Sequence, residues 1–88
     1  MKSNAKDEDY PNSFADVKSV LGDNLKQYRK RAELSQEELG HKIDADQAYI
    51  SRLEAGQLNP TLETISELAN ALGVTVENLF SITHRDME

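Results

Sequence analysis

Three kinds of side chain in this 88-residue chain could do chemistry, and two are set aside quickly. The first is metal binding. Asp44-x-Asp46 has the spacing that opens a calcium loop, but neither the mid-loop glycine nor the closing glutamate follows at the required offset. His41 and His84 have no metal-ligand spacing, and there is no cysteine to supply a thiolate. The second is acid–base or phosphate-handling catalysis. Glu37 and Glu38 are better explained as anions in the first turn of a helix than as a catalytic pair, and there is no glycine-rich phosphate loop. No enzyme, metal or cofactor is expected. The third is recognition without bond making. Gln47, Ala48, Ser51 and Arg52 bring an amide, a methyl, a hydroxyl and a guanidinium to one side of a short stretch, with Ile50 and Leu53 on the other.

Those groups need a helix held at both ends. Asp46 can cap it, and Gly56 supplies a stop with permitted positive φ. A helix just before it is predicted from Ser35 as N-cap, with Glu38 three residues on completing a capping box. Leu39 and Ile43 form its buried edge, and Asp44-Ala45-Asp46 breaks it. Residues 36–54 thus read as two short amphipathic helices on a tight turn. A helix-turn-helix requires this, with its second helix buried on one side and polar on the other. Any small helical bundle also contains such pairs, and periodicity does not choose between the two.

The surrounding elements are also helical. Val17, Val20, Leu21, Leu25, Tyr28 and Ala32 recur at steps of three and four. This helix has two candidate starts: Ser13, with Asp16 giving a near capping box, or a point near Leu21, because Gly22 interrupts the stretch. Gln57–Pro60 is a loop. Thr61 caps a helix whose Leu62, Ile65, Leu68, Ala69 and Leu72 are expected in the core, ending at Gly73. Thr75 caps a short fifth helix with Val76, Leu79 and Phe80. No strand alternation and no internal repeat is evident. The expectation is an all-α fold of five helices, with an acidic flexible tail at 1–16, a domain at 17–82 and a short tail at 83–88.

At 38% hydrophobic and 30% charged residues, the composition suits one soluble globular domain. No apolar run approaches the roughly 20 residues that span a bilayer, and the polar N-terminus is no signal peptide, so a cytoplasmic setting is expected. The formal charge of −6 is uneven. Lys2 and Lys6 face Asp7, Glu8, Asp9 and Asp16, whereas residues 26–31, KQYRKR, hold four cations in six positions. Contact depends on the local patch, so the net charge does not veto a nucleic acid, although it predicts weaker non-specific binding.

The phrases LGDNLKQYRKRAELSQEEL, AYISRLEAG and NPTLETISELANALGV, taken in order, resemble the Cro and phage-repressor (XRE-type) helix-turn-helix family over about 60 of the 88 residues. The resemblance implies a lambda-repressor-like domain binding double-stranded DNA. It places Gln47, Ala48, Ser51 and Arg52 on the base-reading face, where glutamine can pair with adenine and arginine with guanine. It gives Gln36 a phosphate contact at a helix start, and Tyr49 either a phosphate contact or packing beside the preceding helix. Asn59 matches a backbone-contacting loop. Arg29 and Glu54 match a buried salt bridge, which removes Arg29 from the DNA-facing charge. Lys26, Lys30, Arg31 and Lys42 are further phosphate candidates. A homodimer on a palindromic operator is implied, and Val76, Leu79, Phe80 and Ile82 are the expected dimer surface.

Three residues depart from the family pattern. Gly40 stands where a small alanine is usual; it fits sterically but weakens the helix by about 1 kcal/mol. Asp44 replaces a turn glycine, and Asp46 replaces a neutral hydroxyl cap. These two anions should disfavour DNA or be neutralised by Arg52 or Lys42. They also support a competing reading: a protein-interaction module or antitoxin of the same fold, with another protein as its main partner.

Overall fold

The computed structural model describes residues 12–82, so the expectations for residues 1–11, for His84 and for the tail at 83–88 lie outside it. Among the described residues five helices follow one another: α1 Phe14–Arg31, α2 Gln36–Lys42, α3 Gln47–Glu54, α4 Leu62–Leu72 and α5 Val76–Leu79. There is no strand among the described residues.

Each helix starts on a short polar side chain that takes up one of the backbone N–H groups left unpaired in the first turn. Ser13 accepts from the N–H of Asp16, Asp46 from Tyr49 and Thr61 from Thr64. Full capping boxes open α2 (Ser35 with Glu38) and α5 (Thr75 with Asn78). The Glu38 carboxyl is held below its ordinary pKa, first by the backbone N–H of Ser35 and then by the Ser35 hydroxyl. The ionised carboxylate's contribution to the box is therefore present above the ordinary carboxylate pKa and is lost as the pH falls through the lowered one.

Of the two candidate starts for α1, the chain takes the earlier, and residues 14–16 are helix rather than tail. Gly22 does not break the helix. It is a point of backbone contact: a Cβ built there would lie 2.6 Å from the carbonyl oxygen of Glu54 and 2.7 Å from that of Leu53. α1 ends on Ala32 with Glu33 in the left-handed region (φ 60°), where the Leu34 N–H reaches the Arg29 carbonyl at 3.1 Å and the Glu33 N–H that of Lys30 at 3.0 Å. This is the Schellman arrangement on a residue other than glycine. Asp44, at φ 63°, makes the turn between α2 and α3 in the same region.

All five helices supply the core: Leu21 and Leu25 from α1, Leu39 from α2, Ile50 and Leu53 from α3, Ile65, Leu68 and Ala69 from α4, and Leu79 from α5. Two expectations are corrected here. Leu79, expected on a dimer surface, has no exposed area and is a core residue of its own chain. Leu62, expected in the core, sits at the first position of α4 and is 83% exposed. A stripe defined by period alone does not say which turn of a helix overhangs its neighbours.

One polar side chain is fully enclosed with the core. Asn24 donates from its amide to the carbonyls of Leu79 (2.9 Å) and Ser81 (2.8 Å), fastening the end of α5 to the middle of α1. Burying a backbone carbonyl such as that of Leu79 is tolerable only while it keeps its donor. Asn24→Ala is expected to lower the unfolding free energy by about 1–3 kcal/mol in urea titration, because the buried Leu79 carbonyl loses this donor. A loss below about 0.5 kcal/mol would show that the amide is dispensable.

Candidate nucleic-acid interface

Helices α2 and α3 meet across the Asp44 turn. The turn closes with the Ala45 N–H on the Gly40 carbonyl at 2.8 Å, so the backbone of residues 40–46 folds tightly on itself. Gly40 is required by this closeness. A Cβ there would stand 2.6 Å from the Ala45 carbonyl oxygen and 3.2 Å from that of Asp46. Glycine thus fits this position, and with this turn the methyl of an alanine would require the backbone at Ala45 to shift.

On α3, Ile50 and Leu53 are buried while Gln47, Ala48, Ser51 and Arg52 are exposed. Ser51 and Arg52 have no side-chain partner among the described residues, so their donors and acceptors remain for an external ligand. Tyr49 is half-buried against the core cluster. Lys26 and Lys30 are exposed one turn apart on α1, and Lys42 is exposed at the end of α2. Arg31 stands 5.2 Å over the ring of Tyr28. Asn59 is exposed at the rim of an apolar hollow of 290 Å³ that Phe14, Val17, Leu62 and Phe80 also line.

Beneath α3 lies a chain of hydrogen bonds. The Arg29 guanidinium meets the Glu54 carboxylate side on, with Nε to Oε2 at 2.6 Å and the terminal nitrogen to Oε1 at 3.1 Å, and its other arm reaches the Leu34 carbonyl at 2.9 Å. Both charged side chains are nearly buried, at 10% and 4% exposure. Glu54 Oε1 also accepts from the Gln36 amide nitrogen at 3.1 Å, and Gln36 Oε1 accepts from the Gln47 amide nitrogen at 3.3 Å. Sequence spacing could not reveal the link from Gln36 to Glu54, because the two residues meet only once α3 lies across the start of α2. One N–H of Gln36 remains unused, since a primary amide carries two.

Asp46 does not pair with Arg52 or Lys42. The Asp46 carboxylate turns back onto the Tyr49 N–H at 2.9 Å. There it offsets the positive end of its own helix. No group of three or more histidine or acidic residues that could hold a metal occurs among the described residues. Nor is any helix among the described residues long and apolar enough to cross a membrane.

The comparisons agree with this geometry. The helix-turn-helix family HTH_3 matches residues 25–79, from the middle of α1 to the end of α5. Control protein C.MunI of a Mycoplasma species is 39% identical over 67 residues, covering 75% of this chain and 90% of its own. Two crystal structures superpose on the fold. The restriction-modification controller protein C.AhdI from Aeromonas hydrophila has a TM-score of 0.72 at 35% identity, over 78% of this chain and 99% of its own. The hypothetical transcription factor NHTF from Neisseria has a TM-score of 0.75 at 29% identity, over 89% and 90% of the two chains. The chain therefore belongs to the HTH_3 helix-turn-helix family and is a DNA-binding transcriptional regulator.

Proposed function

We propose that the protein is a sequence-specific controller acting in the cytoplasm as a homodimer on a palindromic operator, with α3 of each subunit in the major groove. The observation that carries this reading is the outer face of α3. Gln47, Ala48, Ser51 and Arg52 are all exposed, while Ile50 and Leu53 anchor the same helix in the core. Similarity to C.MunI and C.AhdI favours a restriction-modification controller over the other settings that this fold serves. Phosphate contacts are assigned to Gln36, through its unused N–H, and to Tyr49, Lys26, Lys30, Lys42 and Asn59. Two-fold symmetry would set the half-sites about 34 Å apart. With Leu79 withdrawn into the core, the dimer surface is assigned to Val76, Phe80 and Ile82, joined by the exposed Phe14, Val17 and Leu62.

Selection from a random duplex pool, followed by a salt series on the winning sequence, tests the proposal. A palindrome preferred at least about a hundredfold, with affinity falling steeply as salt rises, supports it. Flat, weak binding to every sequence would favour the competing protein-interaction module, for which the exposed Asp44 and Asp46 beside α3 are the specific observation. On the selected operator, Arg52→Ala is expected to cost about 1–3 kcal/mol and relax one base position. Lys30→Ala should weaken all sequences alike and flatten the salt slope.

A further inference from the structure

We propose that Glu54, whose side chain is only 4% exposed, decides which base Gln47 reads by fixing the polarity of two amides. The inference rests on the base-reading role proposed for α3. An ionised carboxylate only accepts hydrogen bonds, so the side of the Gln36 amide that faces Glu54 Oε1 at 3.1 Å must be its NH₂ group. The Gln36 oxygen is thereby turned outward, toward Gln47. An oxygen can only accept, so Gln47 must present its own NH₂ group to it, at 3.3 Å. One proton of the Gln47 amide is committed in this way. What remains for the groove is its carbonyl oxygen and its second N–H, one acceptor beside one donor. Adenine offers the complementary pair in the major groove, the N6 amino donor and the N7 acceptor.

The reverse polarity would read differently. With the Gln36 NH₂ turned outward, Gln47 would spend its oxygen on Gln36 and aim two N–H groups at the groove. Two donors match the O6 and N7 acceptors of guanine. Glu54 excludes that state because a carboxylate cannot donate, and Arg29 holds it in place through two bonds at 2.6 and 3.1 Å. Glu54 is thus a positioning residue for specificity, one hydrogen bond removed from the residue that positions the reader and two from the reader itself.

The experiment uses the full-length protein in two arms. In the first, Gln47→Ala defines the operator position that Gln47 reads, and affinities are measured with adenine and with guanine there. Gln36→Met cuts the relay while leaving the Arg29–Glu54 pair whole, and Glu54→Gln makes both polarities available. Each is expected to lower the adenine-to-guanine preference on the order of fivefold or more. A lost phosphate contact or a partly unfolded population would weaken both operators equally and leave that ratio unmoved. Variants that fold and keep the ratio within about twofold of wild type overturn the proposal.

The second arm needs no DNA. In the free protein, nuclear Overhauser contacts from the Gln36 NH₂ protons should run to Glu54 and not to Gln47, and Glu54→Gln should admit contacts to both. Contacts from the Gln36 NH₂ to Gln47 in wild type overturn the proposal. Should no duplex be preferred in the first arm, the operator reading fails while this arm still measures the amide order.

Discussion

Replacing Arg29 by methionine is expected to lower the unfolding free energy by about 3–5 kcal/mol, making it one of the most damaging single substitutions in the chain. The carboxylate of Glu54 is 4% exposed and would keep only the Gln36 amide, while the Leu34 carbonyl would lose the guanidinium arm at 2.9 Å. A charge left in that position must either stay uncompensated or take up a proton, and both routes weaken the folded state. For a domain of this size the loss corresponds to a fall in Tm on the order of 20 °C, readable by circular dichroism. The double variant Arg29→Met/Glu54→Leu should recover most of it, because removing both charges also removes the cost of burying them. A single variant within 1 kcal/mol of wild type would mean that the pair is solvated in solution.

The second large effect is expected at Gly22. Gly22→Ala would raise intrinsic helix propensity by about 1 kcal/mol, and on an exposed surface it would stabilise the protein. Here the added methyl meets the carbonyl oxygens of Leu53 and Glu54 at 2.7 and 2.6 Å and the Glu54 carbonyl carbon at 2.9 Å, all of them backbone atoms that no rotamer change can move. Overpacking of this kind costs about 1–3 kcal/mol beyond the propensity gain. The displaced element is the end of α3, so operator affinity should fall together with stability. Urea unfolding and a binding titration on the same preparation would check both. A Gly22→Ala protein as stable as wild type would show that α1 and α3 separate at little cost.

Much of the fold was legible in the sequence because capping is local chemistry. Ser35 with Glu38, Asp46, Thr61 and Thr75 each announce a helix start through a side chain and an N–H only two or three positions away. The same holds for Gly56 and Gly73, whose positive φ ends α3 and α4. What depends on distance in space was hidden. Gly22 reads as an interruption until Glu54 is placed against it. Leu62 and Leu79 fit their stripes equally well, yet one overhangs the loop and the other closes the core. Glu33 gave no signal for its left-handed turn, since glutamate is not a residue favoured there.

The candidate site divides along the same line. The outward face of α3 follows from period and burial, so Gln47, Ala48, Ser51 and Arg52 could be named from spacing together with family resemblance. The contact of Gln36 with Glu54 joins residues eighteen apart, and no short pattern encodes it. Nor could the fate of Asp46 be read in advance. Pairing with Arg52 or Lys42 was as consistent with the sequence as the bond it makes to its own helix.

The two close-packed glycines have a consequence for how such a regulator can change its target. Gly22 receives the last carbonyls of α3, and Gly40 receives the carbonyls of Ala45 and Asp46 that lead into its first turn. The helix is therefore seated at both ends through main-chain atoms, which are the same whatever side chains its outer surface carries. On the proposed reading of the outer face of α3, substitutions at positions 48, 51 and 52 would alter the operator without moving the helix that presents them. Target preference would then drift one residue at a time, while the frame that aims it stays fixed.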